Sequence, residues 1–284
     1  MYIKDFGSIK PVWAPYPFPL RNSIIQATEL WQKFCKRPLA IKERFVFQEI
    51  AGTGDGGYEF RKADPVKKVD DKETFHITRG EFDRLLRYTE RDLVGWDGRD
   101  FLLAVGRMEK LCFPFIVKFA ELLAKQFPSP VLPADFVERV ICARDTWTYR
   151  FLHYLPGSNE IIGAAHTDKG GFTPHLACTS PGLEYLADDK ITWLPMDATP
   201  GSTAIIPSMQ MQYISQGEIK ALWHRIKSTP ASQQFGRYAL VCFVDFFGTP
   251  LYDKQRAGRT QLLDQGYNYD APWEEIKKLF IEKP

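Results

Sequence analysis

The sequence predicts a mainly β fold with a helical first half: a jelly roll or barrel preceded by helices. Three observations carry this. Up to about residue 145, apolar residues recur at helical spacing. From about Thr146 the period falls to two. The period-two segments are short, rich in β-branched and aromatic residues, and divided by Gly, Pro, Asp and Ser. Short strands at close spacing suit a jelly roll or barrel rather than a sheet whose strands alternate with helices.

Asn22 or Ser23 can cap a first helix running from about Ile24 to Lys36, with Ile24, Ala27, Trp31 and Phe34 on one face. Gly52 to Gly57 (GTGDGG) reads as a loop by composition. It lacks the strand-to-helix setting and the following Lys-Ser/Thr of a phosphate loop. A second helix starts in the stretch Thr78 to Tyr88, with Phe82, Leu85 and Leu86 on one face. The third, Phe101 to Phe127, carries Leu111, Phe115, Phe119 and Leu122 as its stripe, with a kink expected at Pro114. The segments TWTYRFLHYL, GLEYL, KITWLPM, STAIIP and RYALVCFVDF read as strands, and Asp270 can cap a last helix with Pro272 in its first turn. The 284 residues are read as one domain: a helical region 1–145, a β core 146–250 and a tail with a helix 251–284.

Composition removes several function classes. A chain that is 44% hydrophobic and 25% charged is neither disordered nor coiled-coil. A net charge of +2 does not suggest a nucleic-acid or polybasic membrane surface. No apolar run approaches the roughly 20 residues that span a bilayer. The proline-broken N-terminus is not a signal peptide. The five scattered cysteines (Cys35, Cys112, Cys142, Cys178 and Cys242) have no C-x-x-C pair and read as buried thiols in a reducing, cytoplasmic setting. The expected partner is a small molecule, with neither nucleic acid nor membrane, and the chain is expected to be monomeric.

His166 and Asp168 lie two apart in GAAHTDKGGFTPHL, so an extended chain turns an imidazole and a carboxylate to the same side. His224 follows in ALWHRI. Two histidines and a carboxylate on one face of a metal leave positions open for a co-substrate and oxygen, which suits ferrous iron. His175 reads as a structural residue, and Arg225 as one member of an ion pair with an acid.

The stretch Tyr149 to Asp245 resembles the core of the isopenicillin N synthase-like branch of the Fe(II)/2-oxoglutarate-dependent dioxygenases. HTDKGGFTPHL resembles that family's first ligand segment, and GLEYLADDKITWLPMDATPGSTAIIP its central hairpins. QYISQGEIKALWHRI is similar to the segment leading to the second histidine, S-N-G-x-x-K-S-x-x-H-R in consensus. FCKRPLAIKERF and GYEFRK with DDKETFHIT resemble segments of the family's first half. The resemblance implies a double-stranded β-helix (jelly roll) with Fe(II) held by His166, Asp168 and His224. It implies 2-oxoglutarate as co-substrate, its far carboxylate on Arg237, and O2 as oxidant. The implied activity is hydroxylation of a small molecule, or its desaturation or ring closure, with release of succinate and CO2. Halogenation is disfavoured because Asp168 fills the position a halide would need. Two alternatives stay open: an iron oxidase that does not use 2-oxoglutarate, and a catalytically silent metal- or ligand-binding jelly roll.

Two departures stand out. The family's R-x-S is here Arg237, Tyr238, Ala239, and its N-x-Y-P is His153, Tyr154, Leu155, Pro156. Both hydroxyls that share the co-substrate's far carboxylate are missing at the matched positions, and each is worth roughly 1.5–3 kcal/mol against a charged group. His153, with Tyr149 further along the same strand face, is the expected replacement donor. Phe75, His76, Tyr149, Lys169 and Phe172 are expected at the substrate.

Overall fold

Proline decides where the first long helix begins. Pro17 takes the N-cap and Pro19 sits in the first turn, so α1 (Phe18–Cys35) starts well before the expected Ile24. The computed structural model describes residues 3–50, 54–62, 71–90, 96–253, 256 and 270–281. Its other main helices are α2 (Leu39–Lys42), α3 (Phe82–Glu90), α4 (Trp96–Gln126, with Pro114 inside it) and α5 (Phe136–Cys142). The second helix begins later than expected because Thr78 Oγ1 accepts from the Glu81 amide, closing a turn ahead of it. Further short helices lie at Met209–Ile214, Pro230–Phe235 and Trp273–Lys277. The last is capped by Pro272 rather than Asp270, which instead pairs with Lys190.

The strands, in chain order, are β1 (Val12–Pro15), β2 (Gln48–Ile50), β3 (Gly54–Arg61), β4 (Lys72–Ile77), β5 (Thr148–Tyr154), β6 (Ile161–His166) and β7 (Phe172–Cys178). They continue with β8 (Leu183–Leu186), β9 (Trp193–Pro195), β10 (Ser202–Pro207), β11 (His224–Lys227), β12 (Arg237–Phe243), β13 (Leu251–Tyr252) and β14 (Phe280–Ile281). Eight of them form one sheet in the order β1-β10-β7-β12-β5-β4-β3-β2, and four form a second, β6-β11-β8-β9. All pairings in the two sheets are antiparallel, giving the two-layered jelly roll.

The glycine run expected to be a loop is largely strand: Gly54 to Gly56 pair with β2, and Gly56 and Gly57 with β4. At Gly57 φ is 119°, and a Cβ there would lie 2.5 Å from the Phe45 and Val46 carbonyl oxygens. Glycine lets the strand pass beneath that chain, so the residue that suggested a turn is what permits pairing. Residues 51–53 lie outside the described residues.

The helices cover one face of the large sheet. Trp31 and Phe34 of α1, Phe101 of α4, Phe75 of β4 and Phe151 of β5 are all fully buried. Their ring centroids lie between 4.9 Å (Phe101–Phe151) and 6.3 Å (Trp31–Phe75). Edge-to-face packing of this kind adds to the large apolar area each ring removes from water. Because side chains alternate along a strand, this apolar face commits the intervening residues of β4 and β5 to the other side, toward the small sheet. Cys35, Cys112 and Cys242 are buried as expected, but Cys142 is exposed at the end of α5 and Cys178 is half-buried.

Candidate active site

β6 ends at His166 and β11 begins at His224, and the two are direct cross-strand partners. Their rings stand 4.4 Å apart. Asp168 follows in the turn beyond β6, where its carbonyl accepts from the Met209 amide at 3.0 Å. Its Oδ1 lies 3.4 Å from His166 Nε2 and 3.8 Å from His224 Nε2. The three potential ligand atoms fall within 4.8 Å of one another.

The second nitrogen of each ring decides its tautomer. His166 Nδ1 lies 2.9 Å from the Ala164 carbonyl and His224 Nδ1 3.2 Å from that of Leu222. A carbonyl only accepts, so each Nδ1 carries a proton, and each Nε2, aimed at Asp168, is the nitrogen at which a metal would replace a proton. Asp168 is buried, and its Oδ2 has no hydrogen-bond partner. Burial pushes its pKa up, but the adjacent His224 and His166 outweigh that and hold it well below the usual carboxylate range. A buried, ionised carboxylate beside two imidazole Nε2 atoms, with one oxygen unsatisfied, fits a divalent cation in a two-histidine, one-carboxylate site.

The site opens into a cavity of about 660 Å³ between the two sheets. Its large-sheet wall is built in rows fixed by strand pairing. One row is Lys72, Tyr154 and Arg237 on β4, β5 and β12. Two residues along, Leu152 faces Ala239, and two further on Arg150 and His175 flank Val241. Arg237 is 2% exposed; its Nε donates to the Ser180 carbonyl at 3.0 Å, and Nη2 lies 3.7 Å from Asp197 Oδ1. Burial raises the Tyr154 pKa and outweighs Arg237 and Arg150, which pull it down, so the phenol stays protonated. Lys72 Nζ lies 5.7 Å from the Tyr154 ring centroid.

His153 does not face this cavity. It lies on the helix-covered side of β5, its Nδ1 donating to Glu73 Oε2 at 3.0 Å and its ring stacked 4.0 Å from Tyr238. The expectation that it donates to the co-substrate is corrected by strand alternation, since Phe151 fixes that face as core. Tyr149 shares the face and is buried against a different cavity near Thr78 and Glu109. Phe75 belongs to the aromatic core. Phe172 packs on Phe119 and Phe246. His76 packs on Phe47 at 4.8 Å, and Lys169 is exposed; neither lines the cavity. Arg225 pairs with Glu184 at 2.8 Å, as expected.

Tyr154, Lys72 and Arg150 are among the cavity residues that the sequence pattern does not single out. Aligning His153–Pro156 on N-x-Y-P assigns the tyrosine position to Leu155, one residue from the phenol that reaches the cavity. Anchoring the alternation on apolar Phe151 instead turns Arg150 and Tyr154 inward. A second cluster, Cys35, Glu73 and His153, also brings three potential ligands together. Glu73 there already accepts from Lys42, Tyr58 and His153, and the Lys42 ammonium opposes a cation.

Comparison with known proteins agrees with the site. The family model of the 2OG-Fe(II) oxygenase superfamily matches residues 148–245, which hold all three metal-site residues and Arg237. Gibberellin 3-beta-dioxygenase 1 of Oryza sativa subsp. japonica is 31% identical over 71 residues, a match spanning 25% of this chain and 18% of that protein's length. The fold is shared with a Caulobacter crescentus protein assigned to the 2OG-Fe(II) oxygenase family (TM-score 0.68, 21% identity, 86% of this chain and 80% of that one). It is shared with a full-length Neurospora crassa protein crystallised with alpha-KG and 5-formyluracil (0.66, 16%, 87% and 77%). The dioxygenase for auxin oxidation 1 from Arabidopsis thaliana, in its 2-oxoglutarate complex, matches similarly (0.64, 15%, 86% and 87%).

Proposed function

We propose that this protein is a non-haem Fe(II)/2-oxoglutarate-dependent oxygenase that hydroxylates, desaturates or cyclises a small molecule with O2, releasing succinate and CO2. One observation carries the reading: the Nε2 atoms of two imidazoles meet the buried, half-satisfied carboxylate of Asp168 on the wall of a cavity whose far end holds Arg237. His166, Asp168 and His224 would hold the iron, which, when bound, supplies the oxidising power released as 2-oxoglutarate is decarboxylated. Arg237 offers a planar fork to the co-substrate's far carboxylate. Tyr154 and Lys72, in its row, supply the donors that Ala239 and Leu155 do not. The apolar residues between, Leu152, Ala239 and Val241, exclude water from the reacting centre.

The order of motifs supports the isopenicillin N synthase-like branch. A reducing, cytoplasmic setting belongs to the same proposal, supported by the unpaired cysteines. The test is succinate formation from 2-oxoglutarate in the presence of Fe(II), ascorbate and O2. Succinate from the parent and none from a folded His224→Ala variant is the expected result. Equal turnover in that variant would remove His224 from the metal site.

A further inference from the structure

Two buried polar atoms on the lining of the cavity lack hydrogen-bond partners: Asp168 Oδ2, beyond β6 of the small sheet, and His175 Nε2, on β7 of the large one. The metal site accounts for the first. Nothing in the protein accounts for the second, although the sequence reads His175 as structural. A buried ring nitrogen left unpaired carries the cost of its lost hydration, so such an atom calls for a ligand.

Strand alternation puts the ring on this wall. β7 turns Phe172 and Leu176 into the helix-covered core, which commits Thr173, His175 and Ala177 to the other side. The Thr173 hydroxyl is already engaged with that of Ser208 at 3.1 Å, and Ala177 has no polar atom to offer. His175 and Arg237 then mark two levels of the wall. Opposite His175 on β12 is Val241, four residues from Arg237, which is about 13 Å of extended strand. The His175 ring stands 5.6 Å from that of His224 and nearly perpendicular to it. His175 is therefore beside the metal site, and Arg237 is at the opposite end of the cavity. Between the two levels lie Leu152, Ala177 and Ala239, whose side chains are apolar.

Resting on the oxygenase reading, we propose that His175 is a co-substrate-positioning residue, its Nε2–H donating to the carboxylate that 2-oxoglutarate places on the metal and loses as CO2. With the far carboxylate on Arg237, the keto-acid end is the part of 2-oxoglutarate that comes level with His175. A carboxylate that gives one oxygen to a metal keeps the other as an acceptor, and ionised 2-oxoglutarate has no donor of its own. Nε2 must then carry the proton, which is the opposite of the arrangement at His166 and His224, where Nδ1 carries it.

The test titrates the Mn(II)-loaded protein, without O2, with 2-oxoglutarate and with succinate, which keeps the far carboxylate but lacks the one lost as CO2. No binding of 2-oxoglutarate by the parent would overturn the oxygenase reading itself. With that binding in hand, the remaining results bear on His175 alone. His175→Leu should weaken 2-oxoglutarate by roughly tenfold or more, the loss of one hydrogen bond to a charged group, and succinate by less than about threefold. His175→Gln, whose side-chain amide N–H reaches the place of Nε2, should recover part of the loss. Should these variants fail to fold, the parent carries the test. With diamagnetic Zn(II) bound and its histidines isotope-labelled, 2-oxoglutarate should bring one further Nε2–H proton out of solvent exchange, and succinate should not. An unchanged 2-oxoglutarate affinity in His175→Leu, an equal loss for succinate, no recovery in His175→Gln, or no new N–H signal would each overturn the proposal.

Discussion

Tyr154 and His153 are neighbours in sequence and face opposite sides of β5, so conservative changes at the two should have separable effects. Tyr154→Phe removes one hydroxyl beside Arg237 and keeps the ring on which Lys72 rests. A hydrogen bond to a charged group is worth about 1.5–3 kcal/mol, so 2-oxoglutarate should bind roughly tenfold to a hundredfold more weakly. His153→Phe breaks the bond to Glu73 instead, and should lower stability while leaving 2-oxoglutarate affinity at the parent value. Calorimetric titration of both variants decides it, and the reverse pattern would return His153 to the cavity. Arg237→Ala should lose more than Tyr154→Phe, because it leaves the co-substrate's carboxylate in a buried setting without its fork. The residue types are legible in the sequence; the faces are not. Motif matching orders residues along a chain but carries no information about which side of a strand they take, and an offset of one reverses every side chain.

At the level of elements, one buried carboxylate ties the helical half to the sheet. Glu73 of β4 accepts from Lys42 at the end of α2, from Tyr58 of β3 at 2.8 Å and from His153 of β5 at 3.0 Å. Burial alone would raise its pKa, but the His153, Lys42 and Tyr58 bonds together bring it down from 4.5 to about 2. Between those values the unfolded chain binds a proton that the folded chain refuses. The stabilisation is therefore complete above about pH 4.5 and drains away as pH falls toward 2. In urea titrations across that window, the parent should lose stability more steeply than Glu73→Gln; parallel slopes would show that the network carries no linkage. Glu73→Ala leaves the Lys42 ammonium buried without its partner, a loss of about 3–5 kcal/mol. No sequence pattern announces this network, since its members lie on four elements and meet only when the sheet forms. The long amphipathic helices and the alternating strands are legible because each repeats its signal locally. The short helices Met209–Ile214 and Pro230–Phe235 have too few turns to show a period.

Over the whole molecule, the large sheet packs one face against helices and turns the other toward the small sheet, so the cavity has rigid walls before any ligand arrives. Such a site carries a stability penalty when empty: Asp168 is buried with an unsatisfied oxygen, and Arg237 is buried among few acceptors. Ligands that meet these groups bind only the folded chain and raise its stability by mass action, by about 2.7 kcal/mol at a hundred times Kd. For a chain of this size each kcal/mol moves Tm by about 2–4 °C, so saturation with Mn(II) should raise Tm by roughly 5–10 °C. A further rise should follow when 2-oxoglutarate is added. The variants should divide that response in two. Asp168→Ala relieves the buried charge, so its own Tm need not fall, yet it should lose the response to Mn(II) and with it the increment from 2-oxoglutarate. Arg237→Ala should keep the Mn(II) response and lose most of the 2-oxoglutarate increment. A melting curve of the Asp168→Ala variant that still shifts with Mn(II) would place the cation elsewhere. An unchanged 2-oxoglutarate increment in Arg237→Ala would leave the guanidinium as a tie to Ser180 and Asp197 alone.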